Sequence, residues 1–423
     1  MSLESDLLQM GARARTAALA LALVPASQKN AILLAMADEL VARETAILAA
    51  NALDMEAAAA NGLTSAIKDR LFLDSKRLRA MADGVRQVAS LPDPVGEVLS
   101  SWSRPNGLRI EKKRVPIGVI GIIYEARPNV TSDAAALCFK SGNATILRGG
   151  KESVHSNVAI ADALAAGGER AGMPPDCLQL VPTTDREAVR LLCGMNQYLD
   201  LIIPRGGKGL IETVVSLARM PVIKHYDGVC HLYVDAAADL DMAVRLIVNG
   251  KAQKPSACNS LETALIHESV AHTLLPKLLP ALAAASVTLR AAPDLLALIT
   301  DPAGATIEPA TPADWDTEYL DLILAAKTVG SVDEAIGHIN QHGSKHSDVI
   351  VTEDAPRAEH FLASVDSACC FWNASSRFND GEEFGFGAEI GISTDKLHAR
   401  GPMALPELTS YKYLIRGQGQ IRG

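Results

Sequence analysis

The sequence predicts an α/β protein built on two parallel sheets. Three observations carry this. Short apolar runs alternate with helical segments, and buried strands joined by helical crossovers form parallel sheets. The alternation occurs twice, once from residue 117 and again from Leu261. The chain, at 423 residues, is too long for one hydrophobic core.

Residues 1–98 come first and read as helices. Ala, Leu, Ile and Met recur at three- and four-residue spacing, and Gly62 and Pro92 break the pattern. From residue 108 the period changes to two, so 108–112 is a half-exposed strand. The nearly unbroken apolar run 117–124 is a buried one. Strands follow at 144–147, 178–181, 199–203 and 221–224, with helices at 131–140, 153–171, 185–193 and 208–218. The second run places strands at 261–266, 287–290, 320–325, 348–351 and 368–372, and the seam between the runs falls near 228–235. A last strand, 406–415, is left to find a partner elsewhere.

Composition excludes several function classes. A hydrophobic content of 48% describes an ordinary folded protein, and a net charge of -9 argues against nucleic acid, whose binders need a basic surface. The run Lys112-Lys113-Arg114 reads as a charged strand edge. Arg13, Arg15 and the apolar stretch that follows resemble a signal peptide, but Glu4 and Asp6 lie where its positive region belongs. Two packed helices are expected there instead. No apolar run reaches the ~20 residues that span a bilayer. The seven cysteines contain no Cys-x-x-Cys, so reduced thiols in the cytoplasm are expected and a zinc site is not. His338, His342 and His346 recur every four residues, but Gly343 interrupts the helix and no further ligand stands at matching spacing; no metal is expected.

One cysteine differs from the rest. Cys258 lies in Lys254-Pro255-Ser256-Ala257-Cys258-Asn259-Ser260, a loop of small and polar residues between a long helical pattern and a strand. A nucleophile needs that exposure. Cys138, Cys177 and Cys193 sit on apolar faces and read as core. Asn129 follows the first buried strand in Tyr124-Glu125-Ala126-Arg127-Pro128-Asn129, at the end of a parallel strand where open sheets bind ligands. Its amide either donates to an oxyanion or caps the helix that follows.

These segments resemble the aldehyde dehydrogenase superfamily over nearly the whole chain. The most specific stretches are Ile203-Pro204-Arg205-Gly206-Gly207, Gly228-Val229-Cys230-His231, Gln253-Lys254-Pro255-Ser256-Ala257-Cys258-Asn259 and Phe384-Gly385-Phe386-Gly387-Ala388-Glu389. The resemblance implies an aldehyde-dehydrogenase-like fold of two parallel-sheet domains and a small strand-based oligomerisation element. It assigns 1–98 and 116–228 to a cofactor-binding domain, 229–395 to a catalytic domain, and 99–115 and 396–423 to oligomerisation strands. It makes Cys258 the nucleophile and Asn129, with the Cys258 N–H, the oxyanion hole.

The cofactor residues follow the same way. NAD-using relatives carry an acidic residue where Lys151 stands; Lys151 and Arg148 would instead attract a 2′-phosphate, which points to NADPH. Backbone N–H groups of Gly206, Gly207 and Lys208, where a strand gives way to a helix, are placed for the pyrophosphate. Glu318 matches a glutamate that holds the nicotinamide ribose. The segment 223–228 lacks the glutamate with which aldehyde-oxidising relatives activate water, and Asp227 is short and out of register. A thioester on Cys258 should therefore outlive water.

The activity so implied is NADPH-dependent reduction of L-glutamate 5-phosphate to L-glutamate 5-semialdehyde and phosphate, in proline biosynthesis. Ser393 and Arg377, with Arg127 and Lys254 as further candidates, are expected to hold the substrate's α-carboxylate. A separate glutamate 5-kinase would supply the substrate, and a homo-oligomer is expected. The alternatives are a CoA-acylating aldehyde dehydrogenase and an inactive cofactor-binding protein; the latter is disfavoured by the joint presence of Cys258, Asn129 and Lys151.

Overall fold

The computed structural model describes residues 2–422 and divides into two compact units. The first holds the chain up to Lys224, together with Gly385–Gly391 and the segment from Met403 onward. Its sheet has four parallel strands in the order Leu178–Leu180, Ala144–Arg148, Val119–Tyr124, Leu201–Arg205. Val119–Tyr124 is buried along its whole length, as its apolar run requires for a strand covered on both faces. The amino-terminal helices Leu3–Leu21 and Ala26–Ala42 follow the expected three-four spacing, burying Leu7, Ala14 and Leu21 in one and Ile32, Leu33 and Met36 in the other.

The expected strand over 221–224 shrinks to one bridge, Ile202 with Val222. Pro221 contributes a carbonyl to Ile202 N–H but has no N–H of its own to return, so the ladder ends there. A three-stranded antiparallel sheet, unlike the parallel ones, is built on Arg109–Pro116, flanked by Val98–Ser103 and Thr409–Arg416. The carboxy-terminal strand thus pairs with a strand some 300 residues earlier in the chain, register Thr409 to Pro116. Trp102, Tyr411, Tyr413 and Ile415 stay exposed on it.

The second unit holds His225–Phe384 and Ile392–Pro402. Its parallel sheet has seven strands in the order Ile307–Pro309, Thr288–Ala291, Ile323–Val329, Leu261–His267, Cys230–Val234, Ser347–Val351, Cys369–Trp372. Helices Leu240–Ala252 and Glu268–Ala284 cover one face and close a core around Leu232, Ile247, Ile266, Leu274 and Leu278. No helix among the described residues is long and apolar enough to cross a membrane.

Candidate active site

Cys258 lies where the second unit's chain leaves helix Leu240–Ala252 and enters strand Leu261–His267. The loop between them is held from several sides. Asn259 donates its amide to the carbonyls of Asn379, at 3.0 Å, and Arg377, at 3.4 Å; Ser376 Oγ donates to Asn259 O at 2.7 Å; Ser260 Oγ donates to Gly250 O at 3.2 Å. Beneath it, Lys251 Nζ and Glu262 Oε2 form a fully buried ion pair at 2.6 Å, one partner from each element that the loop joins. Gly228 lies against the backbone of Cys258: a Cβ there would stand 1.9 Å from Cys258 O, so only glycine fits. Such over-determination is what a reacting sulfur needs to keep a fixed position.

Burial separates the thiols. Cys138, Cys177, Cys193 and Cys230 are buried, while Cys258 is half-exposed. Burial pushes the Cys138 and Cys177 thiols up to about 12 and Cys193 and Cys370 up to about 11. Burial also pushes the Cys230 thiol well up, and its sulfur turns to Cys258 O at 3.4 Å.

Two charged groups accompany Cys258. Arg377 donates through Nε to Gln253 Oε1 at 2.8 Å, while its buried Nη1 has no hydrogen-bond partner among the described residues. Burial lowers its pKa, and Cys258, the next largest influence, works in the opposite direction. A desolvated guanidinium with an open donor is suited to an incoming anion. Glu318 is raised by burial and accepts from Gly228 N–H, the residue that packs on Cys258. Ser393 is fully buried and its hydroxyl accepts from Asp395 N–H at 3.2 Å, a turn-holding bond. The histidine stripe is spread out: His338 stacks on His342 and Trp315, His342 pairs with Asp316, and buried His346 neighbours Cys230.

In the first unit Asn129 opens helix Asn129–Lys140 and is exposed. Its Nδ2 donates to Asp133 Oδ2 at 2.9 Å. Burial pushes the Asp133 carboxyl up to about 6, against the Asn129 amide and the Arg205 cation. Arg148 ends its strand buried, its Nη2 donating to the carbonyls of Thr184 and Asp185, both at 3.2 Å, while its Nε has no hydrogen-bond partner among the described residues. Lys151 opens a short 3-10 turn and is exposed. The intervening Gly149 is required, since a Cβ there would meet the Asn157 amide at 2.0 Å. Gly206 and Gly207 precede helix Lys208–Leu217 as expected, but Gly207 N–H already donates to Glu125 Oε2 at 2.8 Å. A dinucleotide phosphate at this helix start competes with that carboxylate. The sequence reading missed Glu125 and Asp133, and also the Lys251–Glu262 pair.

That pair supports one prediction. Lys251→Met strands Glu262, whose carboxyl burial already pushes up to about 8, in the core. The variant should lose about 1–3 kcal/mol of stability in urea denaturation, the cost of a buried carboxyl that protonates and keeps no partner, and the double variant Lys251→Met/Glu262→Gln should recover part of it. Equal stability of wild type and Lys251→Met contradicts this.

A half-exposed cysteine on a tightly held loop between a helix and a strand of a parallel-sheet unit is the arrangement of a thiol-dependent enzyme. Residues 2–308 match the aldehyde dehydrogenase family, and the chain belongs to it. Within that family, the chain is 56% identical to the γ-glutamyl phosphate reductase of Moorella thermoacetica, over 100% of both chains, and 52% identical to that of Mesorhizobium japonicum, over 98% of this chain and 96% of the other. The crystal structure of γ-glutamyl phosphate reductase from Thermotoga maritima superposes with a TM-score of 0.96 at 43% identity, covering 99% of this chain and 100% of that one. An acetylating aldehyde dehydrogenase from Geobacillus thermoglucosidasius, at 17% identity and a TM-score of 0.68 over 100% of this chain and 98% of that one, shares the fold.

Proposed function

We propose that this chain reduces L-glutamate 5-phosphate to L-glutamate 5-semialdehyde and phosphate with NADPH, through a thioester on Cys258, as a step of proline biosynthesis in the cytoplasm. The observation that carries the reading is the half-exposed thiol on a loop fixed from three sides, beside an arginine with an open donor. The full-length likeness to γ-glutamyl phosphate reductases supplies the substrate.

The Cys258 sulfur attacks the acyl carbon. The S–C bond forms, the C–O bond to phosphate breaks, and the thiol proton departs with the phosphate. Asn129 and the Cys258 N–H donate to the oxyanion that forms in between. Arg377 draws an anionic group of the substrate to the sulfur; Arg127 is a second candidate for that work. The segment 223–228 offers no glutamate to activate water, so the thioester persists until it is reduced.

The residues fit a dinucleotide in outline. Lys151 lies exposed after a glycine pair, and the Gly206-Gly207-Lys208 turn opens a helix, with Glu318 a candidate for the ribose. When bound, the reduced nicotinamide supplies the hydride that takes the thioester to the aldehyde level. Lys151 is the group that holds a 2′-phosphate; Arg148 contributes by fixing the neighbouring loop. Lys151→Glu should therefore weaken NADPH by roughly 10- to 100-fold, one charge-assisted bond, and leave NADH nearly unchanged in titration calorimetry. Equal weakening of both dinucleotides contradicts the assignment.

The same reading gives a homo-oligomer, with the exposed aromatic face of the three-stranded sheet as the pairing surface, and a separate glutamate 5-kinase upstream. The test of function runs the reaction backwards, which avoids the unstable acyl phosphate. With pyrroline-5-carboxylate, the cyclised form of the semialdehyde, NADP⁺ should be reduced in steady state only when phosphate is present. Turnover with CoA in place of phosphate would favour the CoA-acylating reading instead.

A further inference from the structure

Asn129 carries an amide whose two ends have similar shape and opposite hydrogen-bonding character. Only one orientation offers N–H to an oxyanion. Asn129 is the first residue of its helix, where backbone bonds do nothing to hold the side chain, and it is exposed. Something else must choose the orientation.

Asp133 stands one turn later on the same helix face. Its Oδ2 accepts from Asn129 Nδ2 at 2.9 Å. An ionised carboxylate accepts and never donates, so it binds the nitrogen end of the amide and rejects the oxygen end. One N–H of Asn129 is thereby used, and the second N–H on the same nitrogen stays available on the exposed side.

A bare carboxylate beside a developing oxyanion would oppose it. Arg205, the last residue of strand Leu201–Arg205, supplies the counter-charge, acting on Asp133 from a separate element. Its guanidinium is given room by Gly391, where a Cβ would stand 2.3 Å from Nη1 and where φ is +145°. All three residues lie in the first unit: Asn129 is hydrogen-bonded to Asp133, and the Arg205 charge acts on Asp133.

We propose that Asp133 is a positioning residue that locks the Asn129 amide with its N–H₂ toward the reacting carbonyl, with Arg205 as the counter-ion that makes a carboxylate tolerable there. This rests on the reading of Asn129 as an oxyanion donor. It assigns Asp133 no contact with substrate.

The test compares Asn129→Ala, Asp133→Ala, Asp133→Asn and the double variant Asn129→Ala/Asp133→Ala. kcat and KM are measured in the phosphate-dependent reduction of NADP⁺, and the melting temperature of each is recorded. Asp133→Ala should lower kcat by about 10- to 100-fold, part of what a lost donor costs, and leave both KM values in place. Asp133→Asn can accept from the nitrogen end of the Asn129 amide or donate to its oxygen end, so it holds the side chain without fully choosing its orientation and should lose kcat by less than Asp133→Ala does. The double variant should be no slower than Asn129→Ala alone, because a residue that acts only through Asn129 has nothing left to orient.

A double variant slower than Asn129→Ala by the full Asp133→Ala factor overturns the proposal. So does an Asp133→Ala that melts lower with kcat intact, which is a purely structural role. Should Asp133→Ala fail to fold, Asp133→Asn and Asp133→Ser carry the comparison, and a kcat for Asp133→Asn as low as that of Asn129→Ala overturns it. Wild-type kcat in Asn129→Ala would instead remove the oxyanion reading on which the proposal stands, and that outcome is visible without any Asp133 variant.

Discussion

Cys258→Ala should lose turnover by roughly 10⁴-fold or more, the scale on which removal of a covalent nucleophile acts. Cys258→Ser should do little better, because a serine hydroxyl is not ionised at neutral pH and its ester accepts hydride far less readily than a thioester. Both variants should fold, since Cys258 is half-exposed and its loop is held by Asn259, Ser260 and Gly228, not by the sulfur. Iodoacetamide should label Cys258 ahead of the other thiols. Four of these are buried, and Cys369 and Cys370 have their sulfurs turned to Asn379 Oδ1 and Val365 O. Peptide mapping of the alkylated protein checks this. A Cys258→Ala variant that keeps a tenth of wild-type activity ends the covalent account.

Asn129→Ala should lower kcat by about 10² to 10³, the usual loss for one oxyanion donor. Dinucleotide affinity should hardly move, because the side chain's hydrogen bond goes to Asp133 and to no residue of the Lys151 or Gly207 turns. The stability change should be small, since Asn129 is exposed and the Arg205 charge still favours the carboxylate left behind. Steady-state kinetics with NADP⁺ and phosphate at saturation separate the two readings. A weakened dinucleotide with normal kcat would make Asn129 a helix-start residue and nothing more.

Much of this molecule was legible in the sequence because its signals are local. The run 119–124 is apolar at every side chain, so it had to be buried on both faces, and it is. The loop around Cys258 was set apart by its small and polar neighbours, which contrast with the apolar faces around Cys138 and Cys193. What stayed hidden depends on partners far apart in the chain. Glu125 and Gly207 are 82 residues apart, and neither a period nor a composition announces that a carboxylate will sit on that helix start. Arg148 is expected to attract a 2′-phosphate because it is basic and ends a strand before a glycine pair; its Nη2 contacts with the carbonyls of Thr184 and Asp185, on a loop 36 and 37 residues on, leave no mark in the local sequence. Ser393 is marked in the sequence only by its glycine-rich surroundings; its burial comes with the pairing of its strand to Gly401–Pro402, which the local sequence does not announce. The strand Val98–Ser103 was blurred because its face is exposed throughout, so no burial pattern marked it. Asp133 is the instructive case: its spacing of four from Asn129 is visible in the sequence, but the influence of the Arg205 charge on it, from a strand 72 residues on, is not.

The central claim is that Cys258 carries the acyl group between phosphate and hydride. It is tested by one burst experiment without phosphate. Enzyme, NADP⁺ and pyrroline-5-carboxylate are mixed, quenched in acid, and analysed by absorbance and by intact and peptide mass. A single burst of about one NADPH per chain and a γ-glutamyl adduct on the Cys258 peptide are expected, with continued turnover when phosphate is added. Continuous NADPH formation without phosphate, or a burst whose adduct lies on any residue other than Cys258, contradicts it.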